Sequence, residues 1–334
     1  MSRRLPYRAP AWLPGPHAQT IWPAMFAPRE RVDYRRERWD TPDGDFVEID
    51  FTRTEAPGRP LLVLFHGLEG GSGSHYALAV MAEAQRRGWR GAVAHFRGCG
   101  GAINLAPRAY HSGDSAEIDW LLRRFARDAA AVFAVGVSLG GNALLKWLGE
   151  QGEAAAFVHA AAAVSAPQDL AAGAAALSRG FNRIYTENFL KTLKAKGLAK
   201  LEQHPGLFDR RRLLAARSFY DFDEVVTAPL HGFRSCHDYW KRASSKPVLG
   251  GIRVPTLLLN ALNDPFLPAA ALARRAGVSR SVRIEYPREG GHVGFLAGPF
   301  PGSMHWLPQR LFAFFDEHIG ALPTATSLEP ESNG

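Results

Sequence analysis

The sequence predicts an α/β fold: a doubly wound, mostly parallel sheet of about eight strands with a helical insertion. Three observations predict it. Short apolar runs alternate with segments of helical periodicity along most of the chain. Several of those runs are apolar on both faces, as parallel strands covered by helices require. And the pentapeptide Gly136-Val137-Ser138-Leu139-Gly140 joins one such run to a helical segment.

Taken in order, the first two strand candidates, residues 31–39 and 46–52, carry charged residues, the first of them rich in arginine, which suits the edge of a sheet. Residues 61–65 read as an apolar strand, followed by a helix over 75–87 and a strand over 91–96. A helix over 115–127 precedes the strand 132–135; a helix over 142–150 and a strand over 157–164 come next. From about 168 to 253 the strand rhythm stops. Alanine, lysine, leucine and aromatics dominate there, with helical periodicity around 189–201 and 211–222. Lying between two sheet strands, this segment is expected to form a helical cap over the carboxyl edge of the sheet. Strands return at 256–260 and 281–286, separated by a helix over 269–276, and a last helix falls near 306–318. The expected organisation is a core of residues 1–167 and 254–320, a cap of 168–253 and a disordered tail over 321–334.

The composition is that of a soluble globular chain, 46% hydrophobic and 22% charged. The net charge of +8 is spread thinly, with denser basic spots at 29–38, 191–200 and 210–212. Those spots read first as solvated surface, and second as weak attraction to an anionic membrane surface. Nucleic acid is not an expected partner, because no recognised binding motif accompanies the charge. Two cysteines, Cys99 and Cys236, are too few for a disulfide framework. Arg3-Arg4 leads into prolines rather than an apolar stretch, so no twin-arginine signal is read, and no run is long enough to span a bilayer. A cytoplasmic location is expected.

Ser138 carries the chemistry. A serine at a tight strand-to-helix corner is exposed by a strained turn, and glycines flank it because a Cβ there would collide with strand and helix. This is the nucleophile elbow of an α/β-hydrolase. Serine needs a base, and in this fold the chain order is serine, acid, histidine. Asp264, in Asn263-Asp264-Pro265-Phe266, follows the strand 256–260; His292, in Gly290-Gly291-His292-Val293-Gly294-Phe295, follows the strand ending at 286. Both loops leave carboxyl ends of strands, where open α/β sheets build sites. His292 is expected to relay the serine proton and Asp264 to hold its tautomer. The backbone N–H groups of Leu139, after the nucleophile, and Leu68, in His66-Gly67-Leu68-Glu69-Gly70-Gly71, are the expected oxyanion donors. His66 reads as a loop-shaping residue beneath them and Cys99 as a small buried thiol. No Lys-Ser/Thr pair follows the glycine-rich loop, which excludes a P-loop, and His66, His75, His95 and His111 lack metal-ligand spacing. No metal and no cofactor are expected.

The chain resembles the YheT-like branch of the α/β-hydrolases, which includes bacterial esterases and eukaryotic relatives acting on lipids or medium-chain esters. The resemblance rests on Pro16-His17-Ala18-Gln19-Thr20, His66-Gly67-Leu68-Glu69-Gly70, Phe96-Arg97-Gly98-Cys99-Gly100-Gly101 with Asn104 and Tyr110-His111-Ser112-Gly113-Asp114, Gly136 to Asn142, and the acid and histidine loops. One departure is Asn263, where the branch often carries a further aspartate. The resemblance implies cofactor-free hydrolysis of carboxylic esters, with a small-molecule ester or lipid as substrate. The expected function is a serine carboxylesterase on short- to medium-chain esters; the alternatives are a membrane-associated phospholipase or an alcohol O-acyltransferase using the same residues. The aromatics Phe181, Tyr185, Phe189, Tyr239 and Trp240 serve either as an acyl pocket or as the core of the cap.

Overall fold

The computed structural model describes residues 5–54 and 58–320; the tail expected over 321–334 lies outside the described residues. Eight described strands form one sheet: β1 (Tyr34–Asp40), β2 (Phe46–Thr52), β3 (Leu61–Phe65), β4 (Arg90–His95), β5 (Val132–Val137), β6 (Val158–Val164), β7 (Thr256–Leu259) and β8 (Val282–Glu285). Their order is β1-β2-β4-β3-β5-β6-β7-β8. β1 and β2 run antiparallel to each other and β2 to β4, while all later pairs are parallel. Of the two candidates expected at the edge, only β1 is an edge strand; β2 lies one place in. Its alternate side chains Val47 and Ile49 are core, and Asp50 is buried by the pairing of its carboxylate with Arg36 on β1.

The sheet is buried from both sides. Along β3, Leu61, Val63 and Phe65 face one core and Leu62 and Leu64 the other. On the first face pack α3 (Ser115–Phe125) and α4 (Leu139–Gln151); on the second pack α2 (His75–Arg86) and the C-terminal helix (Trp306–Phe315). Each such Leu, Val or Phe contributes about 1.5–3 kcal/mol by leaving water, which is why the continuous apolar runs were strands buried on both faces.

Between β6 and β7 the chain is helical: α5 (Leu170–Leu177), α6 (Arg183–Gln203), α7 (Arg210–Ala215), α8 (Phe219–Phe222), a π-helical turn at Asp223–Thr227 and a helix at Cys236–Ala243. The helix expected over 211–222 is broken. Ser218 accepts from Asp221 N–H while the Asp221 carboxylate accepts from Ser218 N–H, a capping box that starts a new helix. The helix expected over 269–276 is replaced by two short turns, Ala269–Ala271 and Arg275–Gly277. Leu272 is extended so that its side chain packs with Phe266 and Leu267, and Ala273 N–H donates to the buried Gln168 Oε1 at 2.7 Å. The N-terminal helix α1 (Pro16–Met25) was not anticipated; its signal was Pro16 in the first turn, where the missing N–H costs nothing.

Removal from water pushes several imidazoles down: His66, His111 and His231 to about 3 and His75 to about 4. Their folded values lie below the unfolded value, so the unfolded chain binds more protons. Their contribution is therefore complete above about pH 6.5 and is lost as pH falls through the folded values. We expect the urea midpoint to fall between about pH 7.5 and pH 5, and His231→Asn to shrink that fall. A midpoint constant over this range would contradict the account.

Candidate active site

β5 delivers Ser138 to the carboxyl edge of the sheet, and α4 starts at the next residue. Ser138 has φ 51° and ψ −117°, a conformation that costs a non-glycine residue about 1–3 kcal/mol. Neighbouring glycines make the turn possible. A Cβ on Gly136 would lie 2.5 Å from Gly140 O, and one on Gly140 would lie 2.4 Å from Phe65 O, both backbone atoms.

The two downstream loops meet this serine. His292 Nε2 is 3.0 Å from Ser138 Oγ, and His292 Nδ1 is 2.8 Å from Asp264 Oδ2. The Asp264 side chain is completely buried, and its second oxygen accepts from Phe266 N–H at 2.8 Å. A carboxylate only accepts, so Nδ1 carries the proton of the Asp264 bond and the Nε2 lone pair faces the Ser138 hydroxyl. The Phe266 ring lies 4.2 Å from the imidazole, centroid to centroid, and shields it from water on that side. Val293 N–H donates to Ser165 Oγ, which pins the loop just beyond the ring.

The loop 66–70 approaches Ser138 so closely that a Cβ on Gly67 would lie 3.2 Å from the serine Cβ. Gly67 N–H donates to Tyr76 Oη and Glu69 N–H to Tyr110 Oη, while among the described residues the N–H groups of Leu68 and Leu139 have no acceptor. His66 shapes this loop from beneath: it is fully buried, Nδ1–H donates to Gly67 O, and Nε2 accepts from Phe96 N–H. Glu69 is further tied to Tyr110 and to Lys196 of α6, whose ammonium also reaches Cys99 Sγ. Cys99, expected as a small buried thiol, is half-buried, packed against the core on one side and beside the Lys196 ammonium on the other.

Above Ser138 opens a cleft of about 480 Å³, roofed by the helices between β6 and β7. Four of the five aromatics singled out, Tyr185, Phe189, Tyr239 and Trp240, line it; Phe181 faces outward, 48% exposed. Leu170, Leu177 and Leu267 complete an apolar wall, and Ile21, Ala24 and Met25 of α1 form part of the rim. Sequence reasoning missed the contribution of α1, although Gln19 and Thr20 stood in a motif already marked. Among the described residues no helix is long and apolar enough to cross a membrane.

A model of the alpha/beta hydrolase fold matches residues 60–299. The chain is 38% identical to the Escherichia coli (strain K12) protein named "Putative esterase YheT", over 88% of each chain. It is 29% identical to mouse phospholipase ABHD3, covering 92% of this chain and 77% of that one. Among solved structures, the Pyrococcus furiosus esterase Pf2001 shares the fold, with a TM-score of 0.54, 16% identity, and 86% and 94% of the two chains covered. Sheet order, elbow and these likenesses agree: the chain belongs to the α/β-hydrolase fold family and, within it, to the YheT-like branch.

Proposed function

We propose that this protein is a serine carboxylesterase acting on short- to medium-chain esters. The observation that carries the reading is the continuous bond path Asp264–His292–Ser138, 2.8 and 3.0 Å, on the floor of an apolar cleft. Ser138 Oγ attacks the acyl carbon as its proton passes to His292 Nε2, and Asp264 stabilises the imidazolium. The tetrahedral oxyanion takes hydrogen bonds from the N–H groups of Leu68 and Leu139. His292 then protonates the departing alkoxide, leaving an acyl-enzyme on Ser138. Water, deprotonated by the same imidazole, releases the acid.

The helices of residues 168–253 act as a cap that sets acyl length, and their aromatics serve as acyl pocket. A volume of about 480 Å³ lies within the range of small-molecule sites, roughly 300–1,000 Å³. Gly173 of α5 lines the cleft, and a Cβ there meets its neighbours at 3.7–3.8 Å, ordinary contact. Gly173→Leu should therefore fold and fill part of the cleft. We expect it to keep turnover of the shortest p-nitrophenyl esters and to lose about tenfold or more in kcat/KM for medium chains. An unchanged chain-length profile would contradict the pocket, and inactivity of the wild type on every ester would contradict the function.

A second reading, a phospholipase working at a membrane surface, is favoured by an exposed apolar patch beside the cleft. Met25, Phe26 and Phe300 are 66%, 57% and 68% exposed, and the Trp22 ring packs against both Phe rings. Release of fatty acid from phospholipid vesicles, weakened by Phe26→Ser while soluble-ester turnover holds, would select it. Hydrolysis of soluble esters alone would reject it.

A further inference from the structure

The segment that holds the two partners of Ser138 together precedes the sheet altogether. α1 lies outside residues 60–299, the span that matches the general hydrolase fold, yet its side chains reach both downstream loops. The Gln19 residue is 1% exposed. Its amide N–H groups donate to Leu13 O at 3.0 Å and Glu289 Oε1 at 3.2 Å; its oxygen accepts from Asn263 Nδ2 at 2.8 Å and Gly290 N–H at 3.0 Å. Two donors and two lone pairs are the full capacity of an amide, so Gln19 is saturated. Thr20 Oγ1 accepts from the His292 backbone N–H at 2.9 Å and donates to Pro16 O at 2.7 Å. Asn263 completes the bridge by accepting from Gly291 N–H at 3.0 Å.

The seat for α1 is built into the histidine loop. A Cβ on Gly294 would lie 1.9 Å from Gln19 O, and one on Gly291 would lie 2.7 Å from Gln19 C. Both glycines leave hollows into which the helix backbone presses. The acid loop, the histidine loop and α1 are thereby one hydrogen-bonded unit.

We infer that Gln19 and Thr20 are positioning residues: they hold the backbone of the His292 loop in register with the Asp264 loop, so that one imidazole spans Asp264 and Ser138. This rests on the reading of Ser138 as nucleophile. Neither residue supplies a group to the proposed proton path; both act on it through the loops that carry His292 and Asp264. Gln19, unlike Thr20, does not line the cleft, so the effect of Gln19 is expected on the chemical step and not on substrate binding. A shift of the imidazole by about 1 Å costs on the order of 100-fold in rate.

The test compares Thr20→Val, which keeps the shape and removes the acceptor, with Thr20→Ser, which keeps it. Gln19→Leu is made in parallel. For a soluble short-chain ester we expect Thr20→Val to lower kcat about 10- to 100-fold with KM within about twofold, and Thr20→Ser to recover most of the loss. The downfield proton resonance of the His292–Asp264 bond should broaden in Thr20→Val and return in Thr20→Ser. A role in fold stability alone would leave that resonance and kcat intact in the folded fraction. Wild-type kcat in folded Thr20→Val and Gln19→Leu would overturn the inference, as would failure of Thr20→Ser to recover activity. If Ser138→Ala is inactive while these variants are normal, only the positioning role falls. If Ser138→Ala retains turnover, the nucleophile reading falls first.

Discussion

Ser138→Ala is expected to lower ester turnover by about 10⁴-fold or more while leaving the protein folded. The change removes one oxygen. Ser138 N–H keeps its bond to Val164 O at 2.8 Å, and alanine bears the same left-handed backbone as serine, so the elbow itself is unaltered. What disappears is the hydroxyl that lies 3.0 Å from His292 Nε2 and that is proposed as the nucleophile. His292→Ala should cost a similar factor, and the double variant little more than either single one, because the groups act as a unit. The turnover left over would report the proposed oxyanion donors, the N–H groups of Leu68 and Leu139, together with substrate binding.

Among the variants proposed, Gly140→Ala carries the largest expected effect on stability. Its Cβ would lie 2.4 Å from Phe65 O and 2.6 Å from His66 O. Neither atom can retreat: Phe65 ends β3, the strand between β4 and β5, and His66 is locked by Gly67 O and Phe96 N–H. Overpacking of this kind costs about 1–3 kcal/mol and more where backbone must move. We expect at least about 3 kcal/mol here, read as a lowered denaturation midpoint with loss of activity, since α4 and the 66–70 loop would separate. Gly73→Ala is the control, because a Cβ there meets nothing within 4 Å. Equal midpoints for the two variants would contradict the packing described for the elbow.

The sheet was legible because its signal is local. Runs such as Leu61–Phe65 and Val132–Val137 are buried along their whole length, so composition alone marks them. The positions of Ser138, Asp264 and His292 were legible for a related reason: each sits in a loop that leaves a strand end. What was not legible depended on partners distant in sequence. Residues 269–276 have helical composition, yet Gln168, far earlier in the chain, takes the Ala273 N–H that a helix would need. Asn142, noted only as part of the elbow motif, bridges the chain: Nδ2 donates to Ser112 O and Ala243 O, and Oδ1 accepts from Ser245 N–H. Thr20 lies 272 residues from His292, and no periodicity connects them. Such contacts require the fold before they can be seen.

The most direct test of Ser138 as nucleophile is mass-spectrometric mapping of a fluorophosphonate adduct on the intact, active protein. The account predicts one adduct, on Ser138 Oγ, formed in step with loss of ester turnover and absent from Ser138→Ala and His292→Ala. An adduct on another residue, or a labelled and active Ser138→Ala protein, would contradict it.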